Sequence, residues 1–186
     1  MTLQKDLEEV NALKAKGRCL YDQAAIEKAI DKIAASMKEE LADKMPVFLC
    51  VLNGAMVFIG QLLTRLDFPL QVNYIHATRY QGEIEGSHLH WRAEPSISLE
   101  DRVVVLVEDI LDTGLTLSAI ISYCNAKGAK KIYTAALVDK DRPRDAGGLE
   151  TCDFIGLNVE NKFLYGYGLD YKDFLRNEPG IFAVEG

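Results

Sequence analysis

Apolar residues recur along the chain with the spacing of amphipathic helices. The clearest stripe consists of Ile26, Ile30, Ile33, Met37 and Leu41. Asp22 precedes this stripe and is suited to cap a helix that starts near Gln23. A second, buried helix is predicted over 55–66. A third is expected to begin at residue 114 or 115 and to end at Gly128, a residue suited to the left-handed conformation that closes many helices.

Short apolar runs alternate with these helices and predict strands. They lie at 47–52, 70–77, 103–108, 131–140, 153–160 and 181–185. The first of them, VFLCVL, is apolar at every position, which is typical of a strand buried on both faces of a parallel sheet. The alternation predicts an α/β fold with a mainly parallel twisted sheet flanked by helices. In such a sheet, ligands bind beyond the carboxyl ends of the strands.

Two segments depart from this alternation. Residues 78–91 contain two glycines, mixed charge and no steady period, which predicts a long flexible loop or a hairpin. The first twenty residues alternate charged and apolar positions, so we expect a short amphipathic helix and no signal peptide. No apolar run approaches the roughly 20 residues of a membrane helix. We therefore expect a cytoplasmic protein without membrane association.

Composition narrows the function classes. The chain has 186 residues, 48% of them hydrophobic and 26% charged, which suits a single soluble domain. The formal net charge of −7 argues against a nucleic-acid surface, since phosphate binding usually leaves a basic footprint. A polyanionic substrate would need local compensation by Mg²⁺, helix N-termini or a few cations. The four cysteines form no CxxC pair and are interpreted as reduced structural thiols.

The segment VVVLVEDILDTGLT (103–116) concentrates the candidate chemistry. Its apolar strand stops at two adjacent acids, Glu108 and Asp109, which suit ribose hydroxyls or Mg²⁺. Asp112 follows inside a loop, and Gly114 allows a tight turn before a helix whose free N–H groups favour a phosphate. A bare Asp-Thr-Gly would be read as a helix cap. The two acids and the two threonines around the glycine favour a ribose-phosphate site instead.

The segment resembles the signature of the type I phosphoribosyltransferases, an apolar strand followed by two acids, two apolar residues and Asp-Thr-Gly-x-Thr. The resemblance to the hypoxanthine-guanine branch covers about 45–185 and implies 5-phosphoribosyl-1-diphosphate (PRPP) as donor and Mg²⁺ as cofactor. It assigns the ribose and 5′-phosphate of PRPP to Glu108, Asp109, Asp112, Thr113, Gly114, Leu115 and Thr116. It makes Asp112 the catalytic carboxylate beside N7 of the purine. Leu115 stands where some members have lysine, which removes a charge but leaves the backbone amide.

The resemblance also implies an organisation and a metal site. It implies one domain over 1–186, with a mobile lid at about 78–92. A small hood would be formed by the N-terminal segment and about 150–186. The implied metal ligands are Glu108, Asp109 and Asp170. Members of the family form dimers or tetramers, so we expect a homodimer or homotetramer.

The diphosphate site implied by the resemblance consists of Asn53, Gly54, Arg79, Tyr80 and Arg176. Many relatives have lysine at the position of Asn53, so the chain relies there on backbone donors. A cis peptide is expected between Leu52 and Asn53. A plain strand-to-helix turn is the alternative for residues 52–55, and an exposed loop arginine is the alternative for Arg79.

The implied purine site consists of Lys140, Phe163, Leu164 and Asp170. Lys140 would donate to O6 of a 6-oxopurine, and the ring of Phe163 would lie flat against the base. The alternatives are a solvated strand end for Lys140 and an apolar loop packed on the core for 161–171. Arg142 and Arg144 follow Lys140 and are interpreted as surface charges.

These assignments predict a purine salvage enzyme. It would transfer 5-phosphoribosyl from PRPP to N9 of hypoxanthine or guanine, giving IMP or GMP and diphosphate. A xanthine- or guanine-preferring enzyme is the alternative within the class. A regulator with this fold that binds nucleic acid is the alternative outside it, and the net charge of −7 counts against it. A dinucleotide-binding protein is a distant third, because no GxGxxG follows a strand.

Overall fold

The computed structural model describes residues 3–79 and 89–184, with residues 78, 79, 89 and 90 described by their backbone alone. The helices are α1 (Leu3–Ala15), α2 (Gln23–Leu41), α3 (Met56–Leu63) and α4 (Leu115–Ala126). The strands are β1 (Gly17–Tyr21), β2 (Val47–Leu52), β3 (Gln71–Arg79), β4 (Leu89–Ala93), β5 (Val103–Leu111), β6 (Lys131–Asp141), β7 (Phe154–Glu160), β8 (Leu164–Tyr165) and β9 (Ile181–Val184). Within these ranges, no helix is long and apolar enough to cross a membrane.

Six strands form the main sheet in the order β4-β3-β2-β5-β6-β7. Every neighbouring pair is parallel except β3 and β4, so the predicted mainly parallel sheet is confirmed. The expected loop or hairpin at 78–91 begins and ends in paired strands, because Arg79 of β3 lies opposite Leu89 of β4. Residues 80–88 lie outside the described residues.

Side chains of the central strands alternate between two apolar clusters. Phe48 packs in one cluster with the buried face of α2 and with α3. Leu49, the next residue, packs in the other with Leu117 and Ile120 of α4. The prediction that β2 is buried on both faces therefore holds. Each fully buried side chain of this size contributes about 1.5–3 kcal/mol through loss of apolar surface to water.

The helix boundaries follow the predicted signals. The Asp22 carboxylate accepts a hydrogen bond from the Ala25 amide at 2.9 Å, and the predicted stripe on α2 is buried. Gly128 follows α4 with φ +79°, as its predicted cap role requires. The N-cap of α4 is Gly114, with φ +76°, a conformation that costs glycine little.

Strand β5 is longer than predicted. The acids Glu108 and Asp109 were expected to end it, but it continues to Leu111. The physical reason is its neighbour, because β5 stays paired with β6 as far as Leu111 opposite Asp139. Its pairing with β2 ends earlier, at Val107 opposite Cys50. The two acids thus lie on a strand whose β2 side is open, and a crevice forms there.

A second, three-stranded sheet has the order β1-β9-β8. Its strands β1 and β8 were not predicted, and β7, which falls inside the expected hood region, belongs to the main sheet. Whether the small sheet acts as a hood stays a prediction. Helix α1 buries no side chain. It is held by polar contacts, including Glu9 with Lys172 and Lys14 with Glu178, each at 2.6 Å.

Candidate active site

The floor of the crevice is an acidic pair. Glu108 and Asp109 are 9% and 8% exposed. Burial, followed by the neighbouring Asp109 carboxylate, raises the pKa of Glu108 well above its usual range. Burial also raises the pKa of Asp109, while the positive charge of Arg176 opposes that rise. Two buried carboxyls without a cation between them are costly to ionise, so this floor favours a bound cation.

The loop after β5 forms a phosphate-sized recess. A cavity of about 240 Å³ is lined by the two acids and by Asp112, Thr113, Gly114 and Thr116, among others. Helix α4 begins at Leu115 beside this recess, and the amides of its first turn have no carbonyl partner within the helix. A Cβ atom on Gly114 would lie 2.3 Å from the carbonyl oxygen of Leu149, so only glycine fits there. The predicted ribose-phosphate residues are therefore contiguous in space.

Asp112 meets two cations from the end of β6. Its Oδ2 lies 3.3 Å from Nζ of Lys140, and its Oδ1 lies 3.1 Å from Nη1 of Arg142. The predicted catalytic carboxylate and the predicted O6 donor are therefore neighbours. Lys140 is 13% exposed, so it is not a solvated strand end.

The interpretation of Arg144 as a surface charge is wrong. Its side chain is 7% exposed and forms an ion pair with Asp139. Its Nη1 also donates to the carbonyl oxygen of Asp112 at 2.8 Å. Arg142 is likewise engaged with Asp112, as described above. The signal available in the sequence was the pair of arginines directly after a strand that carries a candidate site lysine.

A second group of predicted site residues packs closely against Asp109. A Cβ atom on Gly54 would lie 1.9 Å from Oδ2 of Asp109, and one on Gly168 would lie 2.2 Å from the carbonyl oxygen of Gly54. The Gly168 carbonyl accepts from Nη1 of Arg176 at 2.7 Å. The predicted diphosphate residues Gly54 and Arg176 are thus brought together through Gly168. The expected cis peptide between Leu52 and Asn53 is present.

Two predicted ligand residues are already paired with each other. Oδ1 of Asp170 lies 2.7 Å from Nη2 of Arg176, and the Asp173 amide donates to its other oxygen at 2.8 Å. Among the described residues, no group of three or more His, Cys, Asp or Glu side chains is placed to hold a metal ion.

The ring of Phe163, which is predicted to stack on the purine, is accessible to solvent. The Phe163 side chain is 50% exposed, and its ring meets that of Tyr171 edge-on at 5.7 Å between centroids. Leu164 is buried in β8 beside it. Arg79 is the last residue of β3, with its side chain outside the described part of the chain, and Tyr80 lies outside it altogether. The predicted lid contacts therefore stay predictions.

Comparisons with known proteins agree with this geometry. Residues 18–172 match the model of the phosphoribosyl transferase domain family. The hypoxanthine-guanine-xanthine phosphoribosyltransferase of Tritrichomonas foetus is 37% identical over 164 residues, covering 88% of this chain and 89% of that protein. The hypoxanthine-guanine phosphoribosyltransferase of Bacillus subtilis (strain 168) is 31% identical, covering 90% and 93%.

Solved structures show the same fold. A hypoxanthine-guanine-xanthine phosphoribosyltransferase structure superposes with a TM-score of 0.81 at 34% identity, covering 91% of this chain and 97% of that one. A hypoxanthine phosphoribosyltransferase from Staphylococcus aureus gives a TM-score of 0.84 at 25% identity, covering 90% and 91%.

Proposed function

This chain belongs to the phosphoribosyl transferase domain family, and we propose that it is a purine salvage enzyme. It transfers 5-phosphoribosyl from PRPP to N9 of hypoxanthine or guanine, giving IMP or GMP and diphosphate. The observation that carries this proposal is the placement of Asp112, which belongs to the phosphate loop and lies 3.3 Å from Lys140. One carboxylate thereby borders both the donor and the acceptor.

The donor half uses the crevice beside β5. The amides and hydroxyls of residues 112–116 bind the 5′-phosphate, helped by the positive end of α4. Glu108 and Asp109 face the ribose hydroxyls. The backbone of Asn53 and Gly54 and the guanidinium of Arg176 bind the diphosphate. Arg79 and Tyr80 complete that part of the site from the lid.

Mg²⁺ fits this donor half. A nearby cation would stabilise the ionised forms of the buried carboxyls of Glu108 and Asp109. Asp170 forms an ion pair with Arg176 and therefore lies next to the proposed diphosphate position. These three carboxylates are the residues that would hold Mg²⁺, directly or through water. When bound with PRPP, the ion neutralises charge that develops on the diphosphate.

The acceptor half lies on the other side of Asp112. The half-exposed ring of Phe163 stacks on the purine, and the backbone at Leu164 binds the edge of the base. Lys140 donates to O6, which favours 6-oxopurines over adenine, whose amino group also donates. Asp112 accepts the N7 proton as N9 attacks C1 of the ribose, and Arg176 stabilises the leaving diphosphate.

Xanthine is the second candidate acceptor. The Tritrichomonas foetus relative and one of the similar structures are named for hypoxanthine, guanine and xanthine. The base contacts at Leu164 and Asp170 set this preference. Assembly into a homodimer or homotetramer and location in the cytoplasm stay predictions from the sequence.

The function is tested by initial rates with PRPP, Mg²⁺ and each of hypoxanthine, guanine, xanthine and adenine. We expect nucleotide and diphosphate from the 6-oxopurines and none from adenine. Failure to form a nucleotide from any 6-oxopurine would refute the proposal.

A substitution tests the role of Asp112. Asp112→Asn should keep PRPP binding and lower kcat about 10²- to 10⁴-fold, the usual contribution of a general acid–base group. Binding is measured by calorimetry, and kcat by nucleotide formation. An unchanged kcat would remove Asp112 from the mechanism.

A further inference from the structure

Arg144 is the most extensively bonded cation in the described part of the site, and it has no assigned contact with a substrate itself. Its Nη1 lies 2.8 Å from the carbonyl oxygen of Asp112, 2.9 Å from that of Lys140 and 3.2 Å from that of Leu111. Its Nε donates to the carbonyl oxygen of Glu150 at 3.2 Å. With its ion pair to Asp139, the guanidinium joins three stretches of chain at one point.

Arg144 makes these contacts at the point where β5 and β6 stop pairing with each other. The pairing of β5 with β6 ends at Leu111 opposite Asp139, so no strand pairing joins Asp112 and Lys140, the next residue along each chain segment. Guanidinium has a planar, rigid set of five donors and can serve several fixed acceptors at once. One guanidinium therefore bonds both the backbone that carries the carboxylate and the backbone that carries the lysine.

The turn that carries Arg144 is itself fixed to the phosphate loop. The Asp145 amide donates to the Thr113 carbonyl at 3.2 Å, and the Leu149 amide donates to the Gly114 carbonyl at 3.0 Å. At the start of the same turn, Arg142 contacts the Asp112 carboxylate. Asp112 is thus held at its carbonyl by Arg144 and at its carboxylate by Arg142.

We propose that Arg144 is a positioning residue of the transfer reaction, which aligns Asp112 with Lys140 through their backbone carbonyls. The proposal rests on the proposed function for its kinetic readout. The side chain of Arg144 contacts the carbonyl oxygens of Leu111, Asp112 and Lys140 and none of the amides or hydroxyls of residues 113–116, so its effect falls on the alignment of Asp112 with Lys140. Its loss should therefore act on kcat more than on the KM for PRPP.

The kinetic test compares Arg144→Met and Arg144→Lys with the unchanged protein. We expect kcat to fall about 10- to 100-fold in both, the effect of misplacing a catalytic group by about 1 Å. The KM for PRPP should stay within about threefold. Lysine should not restore kcat, because a single ammonium cannot replace the planar fork. The matched control is Arg102→Met. Arg102 directly precedes β5, at the end of the strand away from Asp112, and it donates to the Met45 carbonyl at 3.1 Å. This substitution should leave kcat unchanged.

A double-mutant cycle separates positioning from general stabilisation. In an Asp112→Asn background, the loss caused by Arg144→Met should shrink to less than about threefold, because the group that Arg144 aligns is no longer active. An equal loss in both backgrounds, or a loss confined to the KM for PRPP, would overturn the proposal. If Arg144→Met does not fold, Arg144→Lys takes its place in the cycle.

A structural readout keeps the proposal separate from the proposed function. In a crystal structure of Arg144→Lys, the Asp112 carboxylate and the Lys140 ammonium should lie at least about 1 Å farther apart than the present 3.3 Å. An unchanged separation contradicts the positioning role whether or not the protein forms nucleotides. Absence of turnover in the unchanged protein counts against the proposed function alone.

Discussion

Gly54→Ala tests the close approach of the loop after β2 to the buried carboxyl of Asp109. The added Cβ atom would lie 1.9 Å from Oδ2 and 2.4 Å from Cγ of Asp109, whereas ordinary contacts begin near 3.4 Å. One of the two groups must therefore move by about 1.5 Å. The loop cannot simply retreat, because its carbonyl oxygen is already packed against Gly168. Displacement of either Asp109 or the loop should weaken the proposed binding of PRPP.

We expect Gly54→Ala to lower kcat/KM for PRPP about 100-fold, since a shift of about 1 Å in a positioned group can cost that much. Overpacking should reduce the free energy of unfolding by about 1–3 kcal/mol. The assays are initial rates at varied PRPP concentration and thermal unfolding. The matched control is Gly60→Ala in α3, where an added Cβ meets nothing within 4 Å. That change should keep the rate and stabilise the helix by up to about 1 kcal/mol. A value of kcat/KM for Gly54→Ala within about threefold of the unchanged protein would refute the steric reasoning.

Two further predictions concern the base platform and the thiols. Phe163→Ala should raise the KM for the purine about 5- to 150-fold, because stacking of a base on an aromatic ring contributes about 1–3 kcal/mol. The melting temperature of this variant should barely change. The control is Phe174→Ala, which removes another exposed ring (44% exposed) and should keep the KM for the purine. One thiol, the exposed Cys19, should react with Ellman's reagent at pH 8 in the native protein. The other three should not react, because burial raises the pKa of Cys50 and Cys152 to about 12 and that of Cys124 to about 11. All four should react in denaturant, and a second fast-reacting thiol in the native state would contradict the burial.

Local patterns predicted most of the main sheet. The stripe on α2, the cap at Asp22 and the glycine after α4 are all set by residues within a few positions of one another. The acid–acid and Asp-Thr-Gly segment was identified for the same reason, since its strand, loop and helix start are contiguous. Features of this kind need no knowledge of distant neighbours.

The errors lie where a distant partner decides the structure. The acids at Glu108 and Asp109 suggested the end of a strand, but pairing with β6 carries β5 on to Leu111. Strand β1 was missed because its residues are stabilised by β9, from the other end of the described chain. Arg144 was interpreted as a surface charge because two of the carbonyl oxygens that it contacts, those of Leu111 and Asp112, lie about thirty positions away in the chain.

The pairing of β1 with β9 gives the site an order of assembly. The loop at 112–116 follows β5 directly, and Lys140 lies in β6; these two strands are paired and are joined in the chain by one helix. Phe163, Asp170 and Arg176 lie in or beside the small sheet, whose formation requires closure of a loop that spans nearly the whole described chain. Contacts of such high contact order form late, because the entropy of loop closure must be offset first. We therefore expect the loop at 112–116, where the 5′-phosphate is proposed to bind, to fold first. Sub-global opening of the small sheet should then displace Phe163, Asp170 and Arg176 while that loop stays native. Amide hydrogen exchange should resolve the two halves as separate cooperative units.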